Sequence, residues 1–201
     1  MSTKISILES YLLVAQREGV SNVTLQKVAK QAKIAYGTVH YHFGGENVDL
    51  LAAALCYVAE VCETFVEAAL APALVEPKKN ALRIYVEAKL AWQARYPAHA
   101  SMLCYVIYQA SREPKHQALG AKMHAGAVSK IKGILLAEFG KGHYAPSKFL
   151  EDLAEEVFLI LSGGQLVALG RPPAQVREVL ARTWRLVEAR LALPANTSKS
   201  L

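Results

Sequence analysis

Thr24-Leu25-Gln26-Lys27-Val28-Ala29-Lys30-Gln31-Ala32-Lys33-Ile34-Ala35-Tyr36-Gly37-Thr38-Val39-His40-Tyr41-His42-Phe43 reads as two short helices around a tight turn. Leu25, Val28 and Ala29 form the inward face of a helix over about 24–32, which Thr24 can cap. A second helix runs over about 35–43, with Val39 and Phe43 inward, and the Lys33-Ile34 connection leaves room for little more than a corner. This is the pattern of a helix-turn-helix, in which the second helix lies in the major groove and offers its N-terminal residues to base edges. Tyr36, Gly37, Thr38, Tyr41 and His42 become candidates to touch DNA. Thr38 brings a hydroxyl, Gly37 a close backbone approach, and His40 and His42 donors for phosphate oxygens. Thr24 can reach a phosphate from its place at a helix start.

Upstream, Ile7, Leu8, Tyr11, Leu12 and Ala15 lie on one helical stripe, which Ser2 or Thr3 can cap and Gly19 can close. The first 45 residues hold Lys4, Arg17, Lys27, Lys30 and Lys33 against Glu9 and Glu18. That is half of the chain's net charge of +6 in under a quarter of its 201 residues, which suits a module facing phosphates. Lys27, Lys30 and Lys33 read mainly as a solvated face, with one or two of them reaching DNA. Gly44-Gly45 breaks the pattern. The expected organisation is a three-helix module over residues 1–46 and a helical body over 47–201.

The body shows apolar spacing of helical period throughout. Helices are expected over about Asn47–Leu70, Lys79–Arg95, Ala98–Ser111, Pro114–Phe139, Pro146–Leu169 and Pro173–Leu193, with a loop between Pro72 and Pro77. Leu103 to Tyr108, the best strand candidate, lacks turn residues on both sides and reads as buried helix. The fold class is therefore all-α.

Composition narrows the function. At 53% hydrophobic residues the chain is too apolar for disorder. Its uncharged run from Val157 to Gly170 is too short for a membrane span. Cys56, Cys62 and Cys104 form no CxxC pair, which argues against a disulfide framework or zinc site and fits a reducing, cytoplasmic setting. No GxSxG, HExxH, phosphate-loop or dinucleotide pattern is present, so neither catalytic residues nor a cofactor are expected. His116 and His124 lie eight apart without a carboxylate or thiol at ligand spacing, and no metal site is expected.

The segments Ile7-Leu8-Glu9, Gly19, Thr24–Ala29 and Ile34–Phe43, with the core Gly37-Thr38-x-x-x-x-Phe43, resemble the tetracycline-repressor (TetR) family of bacterial transcription regulators over about the first 50 residues. The resemblance implies a helix-turn-helix module joined to a helical body that dimerises through its last two long helices and encloses a small-molecule pocket. The sequence departs from the family at four places: Lys33 stands where the turn usually has Gly, Ala35 where a Ser often caps, His40 where a Tyr reaches phosphate, and Glu46 where a Lys opens the fourth helix.

On this reading the DNA-contacting set is Thr24, Tyr36, Gly37, Thr38, His40, Tyr41 and His42. The clustering of aromatic and soft side chains in the body nominates Trp92, Tyr96, Met102, Tyr105, Tyr108, Met123, His124 and Phe158 for the ligand, expected to be apolar or aromatic. Apolar stripes on the last two helices nominate Leu153, Val157, Ile160, Gly164, Val176, Val179, Leu180, Thr183 and Val187 for a homodimer interface. The expected function is a ligand-responsive regulator, a repressor in the first instance, that binds a palindromic operator. The rivals are a constitutive or architectural DNA-binding factor of the same fold, and a helical carrier or enzyme that has lost DNA binding.

Overall fold

A computed structural model describes residues 2–44, 50–75, 80–110, 112, 114–139 and 147–193. Among them are nine α-helices and no strand: α1 (Thr3–Glu18), α2 (Leu25–Ala32), α3 (Tyr36–Phe43), α4 (Leu50–Val75), α5 (Ala81–Arg95), α6 (Pro97–Ala110), α7 (Pro114–Phe139), α8 (Ser147–Ala168) and α9 (Pro173–Leu191). A single 3₁₀ turn, Val20–Asn22, links α1 to α2.

The first three helices are set by local chemistry. Ser2 caps α1 by accepting from the Ile5 amide, and Gly19 ends it at φ +84°, a conformation open to glycine. Thr24 caps α2 through the Lys27 amide at 3.3 Å. The α2–α3 corner is a Schellman turn: Ile34 N–H donates to the Ala29 carbonyl and Lys33 N–H to that of Lys30. Lys33 sits at its left-handed position with φ +56°, at a cost of about 1 kcal/mol relative to glycine. No side chain caps α3, because Ala35 at that position has no acceptor. Ile7, Leu8, Tyr11, Leu12, Val28, Val39 and Phe43 bury together as the module's core.

The body is organised around α5, which packs on α4, α6, α7, α8 and α9. Accordingly it buries Leu82, Tyr85, Val86, Leu90 and Trp92 around much of its circumference. Its N-terminus is capped twice. Asn80 accepts from the Arg83 amide, and the Glu138 carboxylate of α7 accepts from the amides of Ala81 and Leu82. Further on, the Gln93 amide donates to the Gln165 carbonyl of α8 at 2.7 Å.

Two sequence expectations change here. Helix α4 does not stop at Leu70 but continues through Pro72 to Val75. The proline removes one late amide donor, while Leu70 and Ala73, both buried three residues apart, keep the final turn on the core. The stripes on α8 and α9 face each other within the chain: Leu153, Val157, Val176, Val179, Thr183 and Val187 are buried, and Ile160 and Leu180 are half-buried against the same core. Gly164 belongs to this seam, since a Cβ there would lie 2.3 Å from the Thr183 hydroxyl. The expected 46/47 boundary, with Gly45, Glu46 and the helix start at Asn47, lies outside the described residues, as do Pro77, Ser111 and Pro146.

Candidate nucleic-acid interface and body groove

Helix α3 turns Val39 and Phe43 inward and leaves Tyr36, Gly37, His40 and Tyr41 exposed, with Thr38 and His42 half-buried. Tyr41 keeps 85% of its surface in solvent. Its ring touches only that of His42, at 5.2 Å, while Tyr36 stacks loosely on His40 at 5.8 Å. The outward face of α3 is thus hydroxyl, phenol and imidazole, and it carries no carboxylate. An aromatic as exposed as Tyr41 suits recognition better than stability.

Between α1, α2 and the turn, Arg17, Lys27, Lys30 and Lys33 line a concavity of about 540 Å³ together with Glu18 and Gln31. Glu18 engages two of these cations: Lys27 at 2.8 Å and Arg17 at 2.7 Å. Those contacts, Lys27 first, hold the Glu18 carboxyl below the ordinary carboxylate range. Arg17 also reaches Gln31, and Lys27 the Asn22 carbonyl. Lys30 and Lys33 have no such partner among the described residues.

The module meets the body at Glu9 of α1. The Tyr57 phenol of α4 donates to its carboxylate, and His99 Nε2 of α6 lies 3.3 Å from it, outside hydrogen-bond geometry. Burial, then the hydrogen bond to Glu9, pushes the Tyr57 phenol far up, so it stays protonated as the donor. For His99, burial outweighs the carboxylate and lowers the imidazole below its usual value, leaving it neutral at pH 7.

The body holds a groove of about 360 Å³ between α4, α5 and α7. Helical spacing assembles it. Leu55, Cys56, Ala59, Glu63 and Val66 share one face of α4, and Tyr85 and Lys89 one face of α5. Leu119, Lys122, Met123, Gly126, Ala127 and Lys130 share one face of α7. Leu55, Val66 and Tyr85 are buried at its floor, and Cys56, Lys122 and Gly126 are exposed at its mouth.

Of the side chains nominated for a ligand, Met123 alone lines this groove. Trp92 and Met102 are core, and Trp92, Tyr96, His99 and Phe65 form a ring cluster with neighbouring centroids 5.2–6.4 Å apart. Tyr105 is half-buried and holds Gln109, and exposed Tyr108 accepts from Arg112. His124 packs edge-on against Phe158 at 4.7 Å and pairs with Glu155 of α8 at 2.8 Å. A carboxylate does therefore reach His124, from another helix, but no group of three metal-ligating side chains occurs among the described residues. Counting aromatics led to Trp92, which is core, whereas the groove is lined by small and aliphatic residues together with Tyr85, Glu63 and three lysines. Its signal in the sequence is Lys89, a charge set among Tyr85, Val86, Ala88 and Leu90. The three cysteines are free thiols.

Residues 7–54 match the family of bacterial regulatory proteins named for tetR. The N-terminal module is thus similar to the one that family shares. The chain as a whole has the TetR-family regulator fold. A transcriptional regulator from Rhodococcus sp. superposes with a TM-score of 0.71 at 17% identity, over 96% of this chain and 100% of its own. A TetR transcription regulator from Haloarcula marismortui gives 0.70 at 17%, over 93% and 95%. A Saccharomonospora viridis protein in complex with choline gives 0.74 at 20%, over 92% and 95%. Identities this low make the likeness one of fold. Comparison with curated proteins finds no match. No helix among the described residues is long and apolar enough to cross a membrane.

Proposed function

We propose that the protein is a homodimeric, ligand-responsive repressor that reads a palindromic operator with α3 and takes its effector in the α4–α5–α7 groove. The observation that carries the reading is an adjacency on α4. Cys56 lines the groove, and the next residue, Tyr57, bonds Glu9 of the DNA-binding module. A ligand that moves this turn of α4 disturbs the contact by which α1 is held. Effector and operator then compete or cooperate by the same factor in both directions, typically ~5–150-fold.

At the DNA, Thr38, His40, Tyr41 and His42 offer groups to bases and phosphates, with Tyr36 and Gly37 at the start of the helix and Thr24 at the start of α2. Lys30 and Lys33 add phosphate contacts. Replacing Thr38 and Tyr41 together by Ala should abolish the gel shift of an enriched genomic site and leave circular dichroism unchanged. A normal shift by that variant would remove α3 from the interface. Two copies present their recognition helices about one turn of DNA apart, ~34 Å.

The dimer surface follows from what α8 and α9 leave outside. Leu159, Gly163, Leu166 and Val167 share the outward face of α8, and Leu186 is exposed on α9. A Cβ on Gly163 would meet nothing within 4 Å, so a partner helix can approach closely there. The Saccharomonospora neighbour holds choline, a cation. Here the groove presents lysines, which argues for a different ligand.

A further inference from the structure

Lys89 is a side chain of the groove that forms no ion pair among the described residues. Its ammonium lies 3.3 Å from the Cys62 sulfur and 5.6 Å from the centre of the Tyr85 ring. Both of those residues are buried, and Lys89 itself is half-buried above them. Burial pushes the thiol and the phenol upward, so both are neutral at pH 7 and neither supplies a counter-charge. No carboxylate lies within ion-pair distance of Lys89 among the described residues. Glu63, the acid lining the groove, is shared with Lys130 at 3.4 Å, and Lys130 also takes Glu67 at 2.7 Å. Lys122 adds a second cation at the mouth, also without an ion pair among the described residues. Burial disfavours the charged form of Lys89, but the ammonium stays charged at pH 7, with Glu63, beyond ion-pair distance, as the anion that favours it.

A charge partly withdrawn from water without a counter-ion carries a desolvation cost, and an anion that can reach it relieves that cost. The groove leads to this ammonium past apolar walls. Resting on the reading of the groove as the effector site, we propose that the effector is a small anionic amphiphile. Its acid group is seated on Lys89, and its apolar body lies over Leu55, Val66, Leu119 and Met123. The volume of about 360 Å³ is near the lower end for small-molecule sites, which favours a compact acid over a large conjugate. A cation would meet Lys89 and Lys122 head-on. A neutral molecule would shut the ammonium away from water and offer no charge in return.

The test uses three probes of one shape, octanoate, octanamide and octylammonium, titrated at pH 7.5 into the full chain by calorimetry and thermal shift. Octanoate should bind about ten-fold more tightly than octanamide, as a charged hydrogen-bonding pair requires, and octylammonium should not bind. Lys89→Met keeps the length of the side chain and removes its charge. It should bring octanoate and octanamide to equal affinity without loss of fold. Gly126→Leu points a side chain into open space at the mouth and should weaken every probe, since nothing lies within 4 Å of a Cβ there. Equal binding of octanamide or octylammonium in the unaltered protein, weakened by Gly126→Leu, would overturn the anion assignment and keep the groove as the ligand site. Octanoate binding indifferent to both substitutions would overturn both. Absence of octanoate binding at millimolar concentration would overturn the anion assignment, and the effector reading would then stand on whether a neutral or cationic compound stabilises the protein and releases DNA.

Discussion

On α3 the residues that periodicity turns outward remain outward, and Tyr41 is 85% exposed. On α8 and α9 the strongest apolar stripes turn inward, and Val157 and Val187 are wholly buried by their own chain. Both regions were read by the same rule, that apolar residues at helical spacing mark a buried face. The rule holds in both. What differs is what does the burying. The face of α3 opposite Val39 and Phe43 has no neighbour within the module, so everything on it is left for a partner. The faces of α8 and α9 have each other, with α5 beneath. A stripe therefore says that a face is covered and not by which molecule. The second row of apolar residues, Leu159, Leu166, Val167 and Leu186, becomes distinguishable only once the first row is seen to be used.

The largest effect that could break this comparison is at Val157. Val157→Glu places an unpaired carboxylate in the α8–α9 core and should cost several kcal/mol, enough to unfold the body or drive it to aggregate. Leu159→Glu, two residues away on the open side, should leave the melting temperature of the monomer nearly unchanged while shifting light scattering from dimer to monomer. If both variants are folded dimers, the inward and outward rows have been assigned the wrong way round.

A smaller effect tests the α2–α3 corner. Lys33→Gly should stabilise the protein by about 1 kcal/mol, because glycine takes the left-handed position without strain. Chemical denaturation measures it. Destabilisation would mean that the long side chain of Lys33 contributes packing that outweighs its backbone cost.

The smallest effect is absent at neutral pH. His99 binds its proton less readily when folded than when free, so the unfolded chain takes up more protons near and below pH 6.5. The stability it permits is full above about pH 6.5 and is lost as the pH falls toward its lowered folded value. Denaturation midpoints measured across that window should decline in the unaltered protein, and His99→Gln should flatten the decline. An unchanged pH profile in the variant would show that burial does not hold His99 neutral against the pull of Glu9.

Much of the DNA-binding module was legible because its signals are local. A capping Thr24, a turn, two inward residues on α3 and an excess of lysine all lie within about twenty residues, and each acts on its immediate neighbours. The groove was not legible in the same way. Tyr85, Trp92 and Tyr96 attract notice as aromatics, yet Trp92 is spent on the core and Tyr85 on the groove floor. Lys89 is marked only by the apolar residues on either side of it, a weaker signal than a motif.

The sequence by itself determined that the chain is helical, where most helices lie, that α3 presents a polar aromatic face, and that α8 and α9 are each covered on one side. These follow from backbone propensity, capping and the period of apolar residues, which are properties of adjacent positions. Only the tertiary structure decided that Gly164 is closed by Thr183, that Glu9 gathers Tyr57 and His99, and that Lys89 stands in a groove without a counter-ion. Each of those depends on side chains from different helices meeting at a few ångströms, and helix crossing, rather than sequence spacing, sets that distance.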